Sequence, residues 1–215
     1  MMLVATLLVS LTCSAHAAVV PALPGFEAAL TGLRANILAA KAERIEAKNL
    51  QAAYDLDRLA SDVRGFQWTA QRLKSDLQDL RRRAQRIQPG QPNNDPFFRN
   101  DLNRAVWALR DLQWAVQRVR MDAERLAMQA RPDPGQIQSA RRFTDSFTWT
   151  ESEIGWLASE ARWAEWDIRR AGFSMEAWDI SRYSADVERD IRDSHREADE
   201  ILRKVSAPVP APQQP

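Results

Sequence analysis

Proline leaves this chain only a few places where a helix can stop. All eleven prolines fall in four short stretches: Pro21 and Pro24; Pro89, Pro92 and Pro96; Pro132 and Pro134; and Pro208, Pro210, Pro212 and Pro215. Inside a helix a proline costs about 3 kcal/mol, through its missing N–H and its clash with the preceding turn. The clusters therefore mark connections. Between them lie proline-free segments at 26–88, 97–131 and 135–205, rich in Ala, Leu, Arg, Glu and Gln.

Each segment carries apolar residues at alternating steps of three and four, the heptad pattern of helices packed side by side. In the first they are Leu56, Leu59, Val63, Phe66, Ala70, Leu73, Leu77, Leu80, Ala84 and Ile87. The second has Phe98, Leu102, Ala105, Leu109, Leu112, Val116, Val119, Ala123, Leu126 and Ala130. In the third, Ala140, Phe143, Phe147, Ile154, Leu157, Ala161, Ala164, Ile168 and Ala171 follow suit, with Thr150 the one polar member. Within Arg170-Ala-Gly172-Phe173-Ser174, Gly172 suits a left-handed helix end and Phe173 can return to Ile168. Ser174 can then cap a further helix, with Phe173 and Trp178 spaced as a hydrophobic staple. The expected fold is all-α: a coiled-coil-like antiparallel bundle of about four helices at 26–88, 97–131, 136–171 and 174–204. The stripe over 26–55 is weaker and alanine-rich, and it identifies no partner. Residues 206–215 read as a disordered tail.

Residues 1–25 carry no charged side chain, and Leu3 to Leu11 form an apolar run too short to span a bilayer. Ala15-His16-Ala17 places small residues where signal peptidase reads, so residues 1–17 are expected to be a signal peptide and 18–25 a linker. Thr12 and Leu11 fit poorly before a lipidated Cys13. Cleavage removes that sole cysteine, and the exported chain then holds together by packing alone. No later segment is apolar enough to span a membrane.

The tryptophans carry the functional signal. With the seam set as a and d, Trp68, Trp107, Trp114 and Trp166 fall at f, and Trp149, Trp156 and Trp163 at c. Both positions lie about 140–200° from the seam. Trp178 lies beyond the break and is left unassigned. A repeated pattern accompanies them: Arg64 to Asp76 recurs as Arg110 to Asp122 and more weakly from Trp178 to Asp186, each placing Trp, Arg four later and Asp eight later on one stripe. Arg72, Arg118 and Arg182 can thus lie over the indoles of Trp68, Trp114 and Trp178. The economical explanation is burial of a second face. On it Trp107, Trp114, Met121 and Met128 make an apolar f stripe, and Gln67, Gln71, Gln113 and Gln117 serve the indole N–H groups. The alternative is an exposed Trp/Arg/Gln face that binds a partner.

Catalytic reagents are scarce. Beyond the signal segment the only histidine is His195, among charges and expected to be solvated. Metal sites lack Cys and His partners, and neither Glu-x-x-His nor a glycine-rich phosphate loop is present. No cofactor is expected. Glu151, Glu153, Glu160 and Glu165 read as a solvated face rather than a glycosidase pair. With 30 basic against 29 acidic residues there is no field to attract nucleic acid. Arg81-Arg82-Arg83 reads as charge favouring a helix C-terminus. The expected role is a non-catalytic, exported helical scaffold or adaptor working through protein partners or self-association. The alternative is a binding module whose Trp/Arg/Gln face takes cell-wall glycan, an exported polypeptide or a like chain.

Overall fold

A computed structural model describes residues 26–88 and 97–208, with side chains from residue 31 onward. The expected signal peptide, the 18–25 linker, Cys13, His16, the connection at 89–96 and the tail beyond 208 lie outside the described residues. The described residues form four α-helices in order: α1 (Phe26–Arg86), α2 (Phe98–Gln129), α3 (Ile137–Arg170) and α4 (Ser174–Val205), with a short 3-10 turn at Pro134–Gln136. The chain divides into two units, Met1–Ile45 and Glu46–Pro215. In the first, the described residues are helical and those from 31 to 45 are all exposed.

The second unit is a bundle built on the heptad seam. The seam positions from Leu56 to Ala84, from Phe98 to Leu126 and from Ala140 to Ile168 are buried, and Ile87, Ala130 and Ala171 close its ends half-buried. Thr150, the polar member, is fully buried and donates its hydroxyl to the Ser146 carbonyl at 2.9 Å and the Val63 carbonyl at 3.2 Å. That satisfies a hydroxyl which would otherwise cost free energy in the core. α4 carries the same rhythm through Ala177, Ile180, Ser184, Val187, Ile191, Ser194, Ala198, Ile201 and Val205, all buried. The two serines of this seam, Ser184 and Ser194, donate their hydroxyls to the Ser181 and Asp190 carbonyls of their own helix.

Polar contacts between helices set directions. Arg58 meets Asp122 and Arg83 meets Asp101, so α1 and α2 are antiparallel. Lys74 meets Glu153 and Arg81 meets Asp167, so α1 and α3 run parallel. Gln113 meets Asp186 and Arg120 meets Asp193, which makes α2 and α4 parallel too. α4 packs along both α2 and α3. The ring order is therefore α1, α2, α4, α3. Consecutive helices are antiparallel as expected, but two of the four lateral neighbours are parallel, because the α2–α3 connection crosses the end of the bundle. It is held there by the Asp133 N–H donating to the carbonyl of Val205, the last residue of α4, at 3.0 Å.

The α3–α4 corner is a full Schellman closure. Gly172 has φ +94°, its N–H reaches the Arg169 carbonyl, and the Phe173 N–H reaches Ile168. Ser174 does not cap the next helix: its side chain makes no capping bond, and the residue at that position is Phe173. Nor does Phe173 staple onto Trp178. It turns inward against Phe98, ring centroids 5.2 Å apart, while Trp178 stays exposed. A larger apolar contact was available across the bundle than along the helix. Gly172→Ala is expected to cost about 1–2 kcal/mol, since a Cβ at positive φ meets the following carbonyl. Thermal unfolding should show this as a Tm lower by roughly 2–8 °C.

Candidate interaction face

Every tryptophan is exposed, between 51% and 73% of its full area. The second-layer explanation is thereby overturned. Positions f and c point radially out of each corner of the ring, and four helices provide no further layer to cover them. The glutamines do not serve the indoles either. Gln71 donates to Glu153 and Gln113 to Asp186, each a carboxylate on a neighbouring helix. The carboxylates turn the amide N–H groups toward the neighbouring helices, and the exposed indole N–H groups are left to water.

The exposed indoles form more than one face. Along α2, Trp107, Trp114, Met121 and Met128 make an outward ridge, one side chain every seven residues. Along α3, Trp149, Trp156 and Trp163 make a second row at the same interval, with Trp166 beside its end. At ~1.5 Å rise, neighbours in either row are about 10.5 Å apart. α2 and α3 occupy opposite corners of the ring, so the two rows face away from one another. Trp68 stands on α1 and Trp178 on α4. The expected single stripe is thus divided among the corners.

The α3 row is held by a ladder of charge that repeats with the heptad. Lys74 of α1 reaches Glu153 at 3.0 Å and lies over the Trp156 ring, 4.9 Å from its centroid. Seven residues on, Arg81 reaches Glu160 at 3.3 Å and Asp167 at 3.0 Å and lies over Trp163 at 5.0 Å. Gln71 and Gln85 brace the same carboxylates. Burial pulls the Arg81 guanidinium down, but hydrogen bonds and charge from Asp167 and Glu160 outweigh this and hold it above its ordinary value. Arg81 also lines a shallow recess of about 430 Å³ with Gln85, Arg162, Trp163, Trp166 and Asp167. Glu160 is buried and Glu151, Glu153 and Glu165 are half-buried, so these four are not the solvated face expected of them. Glu165 bonds Arg169 of its own helix.

Of the three Trp-to-Arg contacts expected four residues apart in the repeat, one forms: Arg182 lies over Trp178 at 5.0 Å. Outside those three pairs, Arg110 lies over Trp107 at 5.2 Å and Arg170, four residues on, over Trp166 at 5.6 Å. Arg118 lines the α1/α2 groove with Arg58 and Asp122. Asp122 pairs with Arg58 and Arg125. Arg72 contacts no indole, and Trp68 stands clear of it in solvent. His195 is not solvated: it hydrogen-bonds Glu151 at 2.9 Å and stacks on Phe147, ring centroids 5.1 Å apart. Each carboxylate of the α1/α3 ladder is therefore tied to a cation or an amide, and what the surface offers is flat aromatic area with fixed charges beside it.

Comparison with models of protein families, with curated proteins and with solved structures finds no match for this chain. Among the described residues, no group of three or more His, Cys, Asp and Glu is arranged to hold a metal ion. None of their helices is long and apolar enough to cross a membrane.

Proposed function

We propose that this protein is a non-catalytic, exported scaffold or adaptor that joins polypeptide partners through its two outward indole rows. One observation carries the reading: Trp107 and Trp114 on α2, and Trp149, Trp156 and Trp163 on α3, are exposed on opposite corners at the same seven-residue interval as the buried seam. Large apolar side chains left in water at helical intervals mark a surface that another molecule covers, and tryptophan and arginine are the residues that most often dominate such contacts. Rows spaced in heptads suit a helix laid alongside. Two rows facing apart suit two partners, hence an adaptor. Export rests on the signal-like pattern of residues 1–17, and the absence of catalysis on the scarcity of uncommitted acid, base or nucleophile.

The test compares wild type with Trp107→Ala/Trp114→Ala and Trp149→Ala/Trp156→Ala, each immobilised and offered exported proteins or purified cell-wall glycan. Wild type is expected to retain polypeptide partners, and each double variant to lose a different one. Exposed substitutions of this kind usually change stability by less than about 0.5 kcal/mol each, so urea unfolding of the variants should stay close to wild type. Equal retention by all three proteins contradicts the proposal. Tryptophan-dependent retention of the glycan alone would replace the polypeptide partner by a saccharide.

A further inference from the structure

The heptad phase of α1 continues N-terminal to the bundle core. Counting back from Leu56 at a, the a positions are Asn49, Ala42 and Ala35, and the d positions are Ala52, Ile45 and Leu38. Residues 31–48 are exposed on every side of the helix, Leu38 and Ile45 among them. A helix without packing is marginal in water, because its stability comes chiefly from burying an apolar face. The seam positions that are covered from Leu56 onward are uncovered from Ala35 to Ile45, with Asn49 and Ala52 half-buried between.

We propose that residues 35–52 pair with the same residues of a second copy as a parallel, in-register, two-stranded coiled coil. Three features select this occupant. First, Leu38 and Ile45 at d, with Ala35 and Ala42 at a, keep the phase of the bundle seam up to Asn49, and a coiled-coil partner is read by that phase. Second, the flanking g positions are Arg34, Lys41 and Lys48, while e carries Ala39, Glu46 and Ala53. In a parallel pair, g of one strand meets e of the next heptad on the other, so Lys41 meets Glu46 of the second copy, twice by symmetry, and no like charges are opposed. An antiparallel pair would set the basic g positions against one another, which disfavours it. Third, Asn49, half-buried in the single chain, stands at a. A single asparagine there specifies a parallel two-stranded register, because the two amides bond only when level with each other. The inference does not depend on the indole rows, which lie on other surfaces.

The full-length protein is expected to sediment as a dimer that dissociates on dilution. Leu38→Glu/Ile45→Glu places four charges in the seam and should weaken the dimer on the order of a hundredfold or more, with the thermal midpoint of the bundle unchanged. Lys41→Glu alone should weaken it about two- to fivefold, and Lys41→Glu/Glu46→Lys should restore it. In a Cys13→Ser background, Ala42→Cys should form a disulfide-linked dimer under mild oxidation, because level a positions face each other only in the parallel register. A monomer at every concentration overturns the proposal. So does a dimer that survives Leu38→Glu/Ile45→Glu, one that Leu33→Glu/Ile37→Glu disrupts as severely from outside the seam, or one lost only in Trp107→Ala/Trp114→Ala. Partner retention by the indole rows is read in a separate assay, so the two proposals fail separately.

Discussion

Phe147→Ala is expected to destabilise the bundle by about 3–5 kcal/mol, while Trp149→Ala, two residues along the same helix, should cost less than about 0.5 kcal/mol. Phe147 is fully buried at a seam position. Its ring meets Phe143 edge-on at 5.2 Å and His195 in a stack at 5.1 Å. Truncation removes the transfer free energy of the ring and leaves a cavity that three neighbouring helices can only partly close. Trp149 is larger but 72% exposed, so its removal takes little surface out of contact. Domain stabilities are about 5–15 kcal/mol in total, so the first change is a large fraction of the whole. Urea unfolding with a common m-value separates the pair. Similar costs for both would mean that the tryptophan row is buried.

The second large effect is expected at Arg81. Its guanidinium bonds two carboxylates, Glu160 and Asp167, whose side chains are 10% and 8% exposed. Removing one partner of a buried ion pair costs about 3–5 kcal/mol, because the remaining charge is left desolvated. Arg81 is itself partly in solvent and Gln85 still donates to Asp167, so Arg81→Met is expected to cost less, about 2–3 kcal/mol. Glu160→Gln in the Arg81→Met background should recover part of the loss, and the double-mutant cycle reads the coupling directly. Arg82→Met, one residue along on the exposed side, should stay within about 0.5 kcal/mol of wild type. Equal effects at 81 and 82 would show that the ladder does not hold α1 to α3. Loss of the Arg81 ladder would also free Trp163 from the cation over its face.

The a/d seam was legible in the sequence because apolar periodicity states which side of a helix is inside, and here the seam positions of α1, α2 and α3 read from it are buried at every point but the ends. The fourth helix was harder. Ser184 and Ser194 stand in its seam, and their hydroxyls are satisfied within their own helix, so they pack where periodicity looks for aliphatics. Helix direction and ring order were legible in principle from Lys74 and Arg81 at e and from Glu153, Glu160 and Asp167 at g, each set at seven-residue intervals. Arg81 instead reads as helix-terminal charge and Glu153 and Glu160 as a solvated face, because an interhelical ladder is recognised only when both strands are known. The tryptophans were placed correctly at f and c, but their burial was inferred from the general behaviour of aromatic stripes. Burial would have needed a second layer of helix, and a four-helix ring has none. Gln71 and Gln113 look like indole partners by proximity in sequence; each amide N–H goes instead to a carboxylate on a neighbouring helix, Glu153 and Asp186.

The indoles of both rows face water. Tryptophan emission and acrylamide quenching of the protein alone, at low concentration, test this most directly. The expected result is red-shifted emission with efficient quenching, unchanged on dilution. Blue-shifted emission that acrylamide quenches poorly would contradict the account and return the two rows to the core.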